Sequence, residues 1–420
     1  MRHVNPGLDP QKALTDWNQA ATHADPLTRY SCELVTPLYG GGVIAGVVDE
    51  AMPIRPSGIR GQLRSWWRLA CGPFDSPAAM FQRESAIWGG IAGNGPTASR
   101  VAVRVDQVRG LKIEAAFVYQ NDPNQPGKYK TMPREAEWVE PYAVFPARGE
   151  LSKDKREVTV LPHKLALAGV EFRLGVRLHP ELTEVQRAEV LTALRWWASF
   201  GGVGARTRRG LGAVQVKALD PVSAEEVAAN GGCLVLRPCE VAVTAWKTSI
   251  GRLRNFRQQP GLGRNPAANP PIPAGRSRWP EADLIRRQTG RNAPQHAPAH
   301  PVTTAWPRAA FGLPIVFHFK DENQGEPSQQ LLVPEGLDRQ ASALILRPYW
   351  DGAAWHPAAL LLPGWERRLD TPVGIGNGPT RRAWPSGTSE RAHLASQIKP
   401  MAGRGTDPLT AFLAYFVEKD

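Results

Sequence analysis

The sequence predicts an α+β protein with two ferredoxin-like (RRM-like) βαββαβ domains that carry long insertions. Three observations support this fold class. The chain has 420 residues, which is enough for two domains with a large core. Strand and helix patterns follow one another in the βαββαβ order through the first half. Two helical segments, LRSWW and LRWW, also resemble one another. We expect an N-terminal extension at 1–29, a first domain at 30–220 with an insertion at 110–166, and a second domain at 232–420.

Four segments of the first domain have strand patterns. Residues 30–37 form the first predicted strand, with a half-buried face. Residues 100–109 and 169–179 alternate apolar and polar side chains, as a strand with one buried face does. Residues 213–216 begin the last strand of this domain.

Two amphipathic helices are predicted at 57–70 and 183–200. Ser57 is the expected N-cap of the first helix, and Thr183 with Gln186 is the expected capping box of the second. We expect the paired tryptophans of both helices to pack against the sheet rather than to stack on a nucleobase.

A glycine-rich basic loop, GGVGARTRRGLG at 201–212, follows the second helix, and no acidic residue occurs between positions 190 and 219. Glycine lets the backbone approach a ligand closely, successive loop N–H groups can hold an anion, and arginine forks suit phosphate. The alternative is a glycine cap with a solvated basic turn. The residues expected to bind phosphate here are Gly201, Gly202, Gly204, Arg206, Arg208 and Arg209.

The first helix carries an arginine face. Arg60, Arg64 and Arg68 recur every fourth residue, and no acidic residue occurs between positions 51 and 74. Because three stacked guanidinium groups repel one another, a bound phosphate would stabilise them. We expect Arg55, Arg60 and Arg64 to extend the phosphate-binding surface; the alternative is a solvated arginine face.

The second half begins with a predicted strand pair or long strand at 233–246. A basic, Pro-rich loop is predicted at 251–280, since residues 241–280 contain seven basic and no acidic residues. Flexible nucleic-acid-binding loops have this composition, and so do disordered linkers, which is what 266–273 is expected to be. A second basic patch is expected from Lys247, Arg252, Arg254, Arg257, Arg276, Arg278 and Arg308. Further patterns predict a helix at 276–287, strands at 341–348 and 358–363, and a helix at 409–416.

Composition points to a polyanionic partner. The formal net charge is +12, and the isoelectric point is about 9.8. The four cysteines form no C-x-x-C pair, so we expect neither a zinc site nor a disulfide framework, and no cofactor. Residues 1–25 lack the apolar region of a signal peptide, and no apolar run is long enough to span a bilayer. We therefore expect a cytoplasmic protein without a membrane partner.

Catalytic groups are sparse in the sequence. Asp49 and Glu50, in the loop after the first strand, are the best acidic candidates for metal-assisted RNA cleavage. His163 and Lys164 are the only adjacent histidine–lysine pair, which acid–base cleavage would need. The glycine-rich loop is not a nucleotide P-loop, because it lacks the Lys-Ser/Thr ending and follows its helix rather than preceding one. A solvent-exposed acidic loop is the alternative for Asp49.

Several motifs in order resemble the RAMP superfamily of CRISPR-associated proteins, and most closely the first subunit of the Cmr-type (type III-B) effector complex. They are TPLYGGG, IRPSGIRGQLRSWWR, ESAIWGG at 84–90, GGVGARTRRGLG, GRSRWPEADLIRR at 275–287, WPRAAFGLPIVFHF at 306–319 and DRQASALILRP at 338–348. The resemblance covers most of 30–348. It implies two ferredoxin-like domains and a glycine-rich loop near RNA.

The resemblance also implies a function. We expect a non-catalytic RNA-binding subunit of an RNA-guided interference complex, which contacts guide RNA, complementary target RNA or both near the guide 3′ end. Its expected partners are these RNAs and the other RAMP subunits. The alternative is a metal-dependent RAMP endoribonuclease that uses Asp49. We also expect that replacing Arg206, Arg208 and Arg209 together by alanine lowers RNA affinity without lowering the melting temperature.

Overall fold

Helices and short antiparallel strands alternate along the chain. The structure is a computed structural model that describes residues 9, 11–12, 14–15, 27–92, 95–266, 275–320, 322–376 and 378–419. Most of the predicted N-terminal extension (1–29) and most of the Pro-rich stretch (266–273) lie outside the described residues.

The described α-helices and strands have the following bounds. The helices are α1 (Pro56–Ala70), α2 (Pro77–Trp88), α3 (Pro141–Val144), α4 (Glu184–Phe200), α5 (Ala224–Ala229), α6 (Ala242–Gln258), α7 (Glu281–Thr289), α8 (Thr388–Gln397) and α9 (Pro408–Val417). The strands are β1 (Thr28–Leu34), β2 (Gly90–Ala92), β3 (Gly95–Thr97), β4 (Val101–Arg109), β5 (Ile113–Ala115), β6 (Phe117–Val118), β7 (Arg134–Glu135), β8 (Glu150–Leu151), β9 (Val158–Val160), β10 (Lys164–Ala166), β11 (Glu171–Leu178), β12 (Val214–Val216), β13 (Cys233–Leu236), β14 (Ile315–Phe317), β15 (Gln330–Pro334), β16 (Leu344–Trp350), β17 (Trp355–Leu361), β18 (Pro372–Ile375) and β19 (Arg381–Arg382).

The first half folds around a four-stranded sheet with the order β12–β1–β11–β4, in which every neighbouring pair is antiparallel. Leu34 pairs with Val214 on one side of β1, and Tyr30 pairs with Leu174 on the other. The four strands lie where the alternating patterns predict them. The expected α+β class with antiparallel sheets is therefore confirmed.

Helices α1 and α4 cover one face of this sheet. Trp67, Trp196 and Trp197 are fully buried, which confirms that the paired tryptophans pack in the core. The capping box of Thr183 and Gln186 is also confirmed. The predicted Ser57 cap is wrong: α1 starts at Pro56, whose fixed φ suits the first helical position, and its N-cap residue makes no side-chain bond.

The second half contains a sheet with the order β13–β17–β16 and a separate sheet with the order β14–β15–β18–β19, all antiparallel. The predicted strand at 233–246 ends at Leu236, and α6 follows it. The predicted loop at 251–280 is also wrong in its first eight residues, which are helical. The physical reason is a buried helical stripe made by Trp246, Ile250, Leu253 and Phe256.

The two halves share their hydrophobic core. Phe200 of α4 stacks on Tyr349 of β16, with ring centroids 5.7 Å apart and an interplanar angle of 10°. The Arg347 side chain is buried, and it donates to the carbonyls of Gly201, Val214 (3.3 Å) and Pro348 (2.9 Å). Burial lowers the pKa of Arg347 to about 9. No helix in the described ranges is long and apolar enough to cross a bilayer.

The glycine-rich loop passes between the two halves and is packed too tightly for a side chain at each of its five glycines, as Gly210 and Gly212 illustrate. Gly210 has φ +73, and a Cβ there would lie 2.7 Å from the Leu346 carbonyl oxygen. Gly212 has φ +63, and a Cβ there would lie 1.9 Å from the Val203 carbonyl oxygen. These glycines are required by packing within the protein.

We expect Gly212→Ala to destabilise the fold by more than about 1–2 kcal/mol, the cost of the left-handed conformation alone, because the new methyl group also clashes with Val203. Urea unfolding monitored by circular dichroism measures this. The matched control is Gly61→Ala in the exposed centre of α1, where a Cβ meets no atom within 4 Å. That change should stabilise by roughly 0.5–1 kcal/mol. Equal stability of the two variants would contradict the packing argument.

Candidate nucleic-acid interface

The three arginines of the glycine-rich loop lie in and beside a short 3-10 turn, Thr207–Arg209. Arg206 precedes the turn in the left-handed conformation, with φ +60. Its Nε donates to the Ala143 carbonyl at 2.6 Å, and its guanidinium carbon lies 4.9 Å from the centre of the Phe145 ring. Burial lowers the pKa of Arg206. Arg206 is thus held by the insertion.

Arg209 is also held by protein groups. Its guanidinium donates to the carbonyls of Leu344 (3.3 Å) and Phe311 (3.4 Å), and burial together with the neighbouring Arg257 lowers its pKa to about 10. Arg208 differs, because its side chain has neither a hydrogen-bond nor an ion-pair partner among the described residues. Burial and the nearby Arg368 lower the pKa of Arg208. An anion would therefore stabilise Arg208 most directly.

These arginines line a cleft of about 1100 Å³, which we call the main cleft. Its described lining contains six arginines and one acidic residue, Glu150. Since like charges are concentrated in a partly closed space, the cleft attracts anions. Its polar, aromatic and charged lining residues include Tyr142, Phe145, Arg148, Glu150, His163, Arg206, Arg208, Arg209, Arg257, Phe311, His318, Arg339 and Gln340.

The lining residues that were not among the predicted RNA-binding residues include Tyr142, Phe145, Arg148, His163 and Arg339. The first four belong to the 110–166 insertion, which folds into short strand pairs and a short helix. Because these elements are short, they produce no sustained periodicity in the sequence. The sequence therefore did not predict where the residues of the insertion lie. Two of these five residues carried a sequence signal: His163 belongs to the His163–Lys164 pair, and Arg339 lies within a motif of the family resemblance.

A second cavity, the side pocket, has a volume of about 520 Å³ and shares Arg257 and His318 with the main cleft. Its charged and aromatic lining includes Arg257, Arg264, Arg276, Arg286, His296, Arg308, Phe317, His318, Phe319, Lys320 and Glu326. Two of the predicted second-patch residues besides Arg257, namely Arg276 and Arg308, therefore lie in this pocket.

A buried charge cluster forms the wall between the two cavities. Arg257 Nη1 donates to the Tyr142 hydroxyl at 3.1 Å, and the Arg308 backbone N–H donates to Glu281 at 2.7 Å. Burial lowers the pKa of Arg308 to about 10 and raises the pKa of Glu281. The Nε atoms of Arg257 and Arg308 are buried without a hydrogen-bond partner. Positive charge exceeds negative charge in this wall.

The predicted unpaired arginine face on α1 is wrong. Arg64 and Arg68 both bind the buried Glu84 carboxylate of α2, at 2.6 Å and 2.7 Å. The carboxylate that neutralises them comes from another helix, which the spacing within α1 does not reveal. Arg55 pairs with Asp49 at 2.7 Å. Arg60 is exposed and has no ion pair among the described residues.

Four members of the predicted second patch contact the protein. Lys247 donates to the Glu137 carbonyl at 2.6 Å, and Arg254 lies 3.6 Å from the Glu140 carboxylate. Arg252 is buried, with its guanidinium carbon 4.1 Å from the centre of the Tyr415 ring. Arg278 donates to the side chain of Asn265 and the carbonyl of Gly261. In the side pocket, Arg276 pairs with Asp283 at 2.7 Å.

The glycines predicted to bind phosphate also lie in different surroundings. Gly201 and Gly202 are buried, so they carry the turn at the end of α4. Gly204 is exposed and lines a small pocket of about 360 Å³ with Gly41, Arg55 and the start of α1. The structure brings Arg206, Arg208, Arg209 and Arg257 together in the main cleft and places Arg55 and Gly204 outside it.

In the acidic loop after β1, the Asp49 carboxylate binds groups that are close to it in the sequence. Asp49 Oδ1 accepts from the N–H groups of Ala51 and Met52 at 3.1 Å, and Oδ2 accepts from Arg55. These contacts lower the pKa of Asp49. Within the described part of the chain, no group of three or more His, Cys, Asp or Glu side chains could hold a metal ion.

Comparison with protein families finds a match in the first half of the chain. The model of the RAMP superfamily matches residues 31–215, which run from β1 to β12 and include both covering helices and the glycine-rich loop. Residues 31–215 therefore resemble members of the RAMP superfamily. The comparison with curated protein sequences finds no match.

Solved structures that are similar to this chain include Cmr proteins. The crystal structure of apo Cmr1 from Pyrococcus furiosus has 14% identity and a TM-score of 0.42, and the match covers 84% of this chain and 98% of that one. A chain of the type III-B Cmr-beta complex, bound to cognate target RNA and AMPPnP in the presence of ssDNA, has 9% identity and a TM-score of 0.42, with 94% and 99% covered. Cmr6 from Pyrococcus furiosus has 12% identity and a TM-score of 0.24, with 46% and 97% covered.

The Glu84 ion pairs give the first half of the chain an acid-sensitive component of stability. Burial alone would raise the pKa of Glu84, but hydrogen bonds from Arg68 and Arg64 outweigh it, and the net pKa is lowered. The unfolded state therefore takes up the proton first as the pH falls below about 4.3, the ordinary value for Glu. Stability present at neutral pH is lost below that value.

We expect Glu84→Gln to destabilise the protein at neutral pH by about 2 kcal/mol, below the range for a fully buried pair because both arginines are partly exposed. The difference from wild type should shrink at acidic pH, as measured by urea unfolding at both conditions. The control is Glu184→Gln, whose carboxylate is 95% exposed and 3.8 Å from Arg187. A Glu84→Gln deficit that is constant with pH would refute the linkage.

Proposed function

We propose that this chain is a non-catalytic RNA-binding subunit of a type III-B CRISPR RNA-guided interference complex. The observation that carries the proposal is the main cleft, with its six arginines and single acidic residue. Phosphates pair with guanidinium groups independently of sequence, and the release of counterions makes such binding sensitive to salt. The exposed aromatic and apolar rim of the cleft favours a strand with unpaired bases over a duplex.

The assembly is proposed from the motif blocks, which extend the resemblance beyond residues 31–215 to position 348. In this proposal the chain contacts guide RNA, target RNA or both near the guide 3′ end, beside other RAMP subunits, inside the cell. We further propose that both halves are ferredoxin-like. The first sheet is consistent with this, and the β13–β17–β16 sheet with α6 and α9 supplies three strands and two helices of the same plan.

The proposed role is binding without catalysis. Asp49 is engaged by Arg55 and by two backbone N–H groups, an arrangement that suits a loop support. The decisive experiment incubates the purified chain with labelled single-stranded RNA and Mg²⁺ and then runs the RNA on a denaturing gel. Intact, salt-sensitively bound RNA supports the proposal. RNA cleavage that disappears in the Asp49→Ala variant would overturn the proposal. If the chain binds no RNA, the main cleft has a function other than RNA binding.

We expect the triple variant Arg148→Ala/Arg208→Ala/Arg339→Ala to weaken single-stranded RNA binding at least tenfold, a change of about 1.4 kcal/mol. None of these three guanidinium groups has an acidic partner among the described residues. The slope of log affinity against log salt should fall by roughly 0.7 for each lost phosphate contact. Fluorescence anisotropy at several salt concentrations measures both quantities.

The set Arg206, Arg208 and Arg209 is less suitable, because two of its members donate to carbonyls and their loss should also lower the melting temperature. The matched control is Arg104→Ala on β4, an exposed arginine that lines none of the described cavities. Equal weakening by Arg104→Ala would show that bulk positive charge, and not the cleft, binds RNA.

A further inference from the structure

We propose that Phe145 is a base-stacking platform at the mouth of the main cleft, which takes one unpaired nucleobase of a single-stranded RNA. The proposal rests on the proposed RNA-binding function and deepens it, because it assigns the insertion a role in holding bases rather than phosphates.

The Phe145 ring is open to solvent although it lines the cleft. It is 61% exposed, whereas most aromatic side chains of the chain are buried in the two large core clusters. The ring follows α3 and begins a 3-10 turn, Phe145–Arg148, whose Ala147 carbonyl accepts from the His163 N–H at 2.8 Å. The position of the exposed ring is therefore fixed by hydrogen-bonded backbone.

Arg206 holds the ring from one side. Its guanidinium carbon lies 4.9 Å from the ring centre, and its Nε donates to the carbonyl of Ala143 in the helix that leads to Phe145. Arg206 is thus a positioning residue for the ring. The Arg206 guanidinium stacks on one face of the Phe145 ring, and the rest of the ring is exposed. The ring can therefore stack with a flat partner such as a nucleobase.

Two parts of the cleft lining suit different parts of an RNA strand: one suits the bases, and the other suits the phosphates. Val160 is also exposed and lines the cleft together with Phe145, and Arg148 Nη1, from the same lining, lies 3.6 Å from the sulfur of the exposed Met132. The loop arginines Arg206, Arg208 and Arg209 belong to the same lining and are less exposed than Phe145. A single strand of RNA has the matching division, with apolar base faces along one side and phosphates along the other.

The test compares wild type, Phe145→Ala and Phe145→Trp with three probes: a short uridine oligoribonucleotide, an abasic oligoribonucleotide of the same length, and duplex RNA. We expect Phe145→Ala to weaken binding of the uridine strand by about five- to a hundredfold, the range for one lost base–aromatic stack. Binding of the abasic strand and the duplex should be unchanged, and so should the salt slope, because phosphate contacts set it. Phe145→Trp should keep wild-type affinity.

The matched control is Phe81→Ala, the other exposed phenylalanine (39%), which lies on α2 and lines none of the described cavities. Arg206→Ala should share the base-dependent loss of Phe145→Ala. If Phe145→Ala binds the uridine strand like wild type while the cleft triple variant does not, the stacking inference is wrong and the proposed function stands. An equal loss on the abasic strand would also overturn stacking. If wild type binds none of the probes, the proposed function fails and the stacking inference fails with it.

Discussion

The buried guanidinium of Arg347 joins the two halves of the chain at the start of the glycine-rich loop. A buried charge is costly unless every donor finds an acceptor, and here the acceptors are backbone carbonyls, among them those of Gly201 and Val214. These carbonyls belong to the end of α4 and to the edge strand β12. The arrangement therefore requires the first sheet, its second helix and β16 to be in place together.

The position of the loop, and with it the cleft, follows from this constraint. Between Gly201 and Val214 the chain must fit into a space where Gly210 and Gly212 have no room for a Cβ. Trp246 of α6 donates to the Arg209 carbonyl at 2.8 Å and fixes the basic turn from the second half. The glycines are explained by packing inside the protein, and the ligand-facing role falls to the side chains between them.

The arginines of this protein have different roles, which depend on their burial and on their partners. Arg206 and Arg209 satisfy carbonyls and hold neighbouring groups, whereas Arg208 lies in the same turn without a partner among the described residues. Elsewhere, Arg64 is neutralised by Glu84 and Arg276 by Asp283. The main cleft is basic because none of its six arginines has an acidic partner among the described residues.

Local sequence determined several elements of the first half. Period-two patterns gave β4 and β11, helical periods gave α1 and α4, and the Thr183 capping box gave the start of α4, because each depends on neighbours a few residues apart. In α6 the arginine content masked a helical stripe that was present in the same residues. Tertiary structure alone decided that Glu84 neutralises the α1 arginines, that the insertion forms one wall of the cleft, and that Phe145 faces solvent. These contacts join residues distant in sequence, and no local period encodes them.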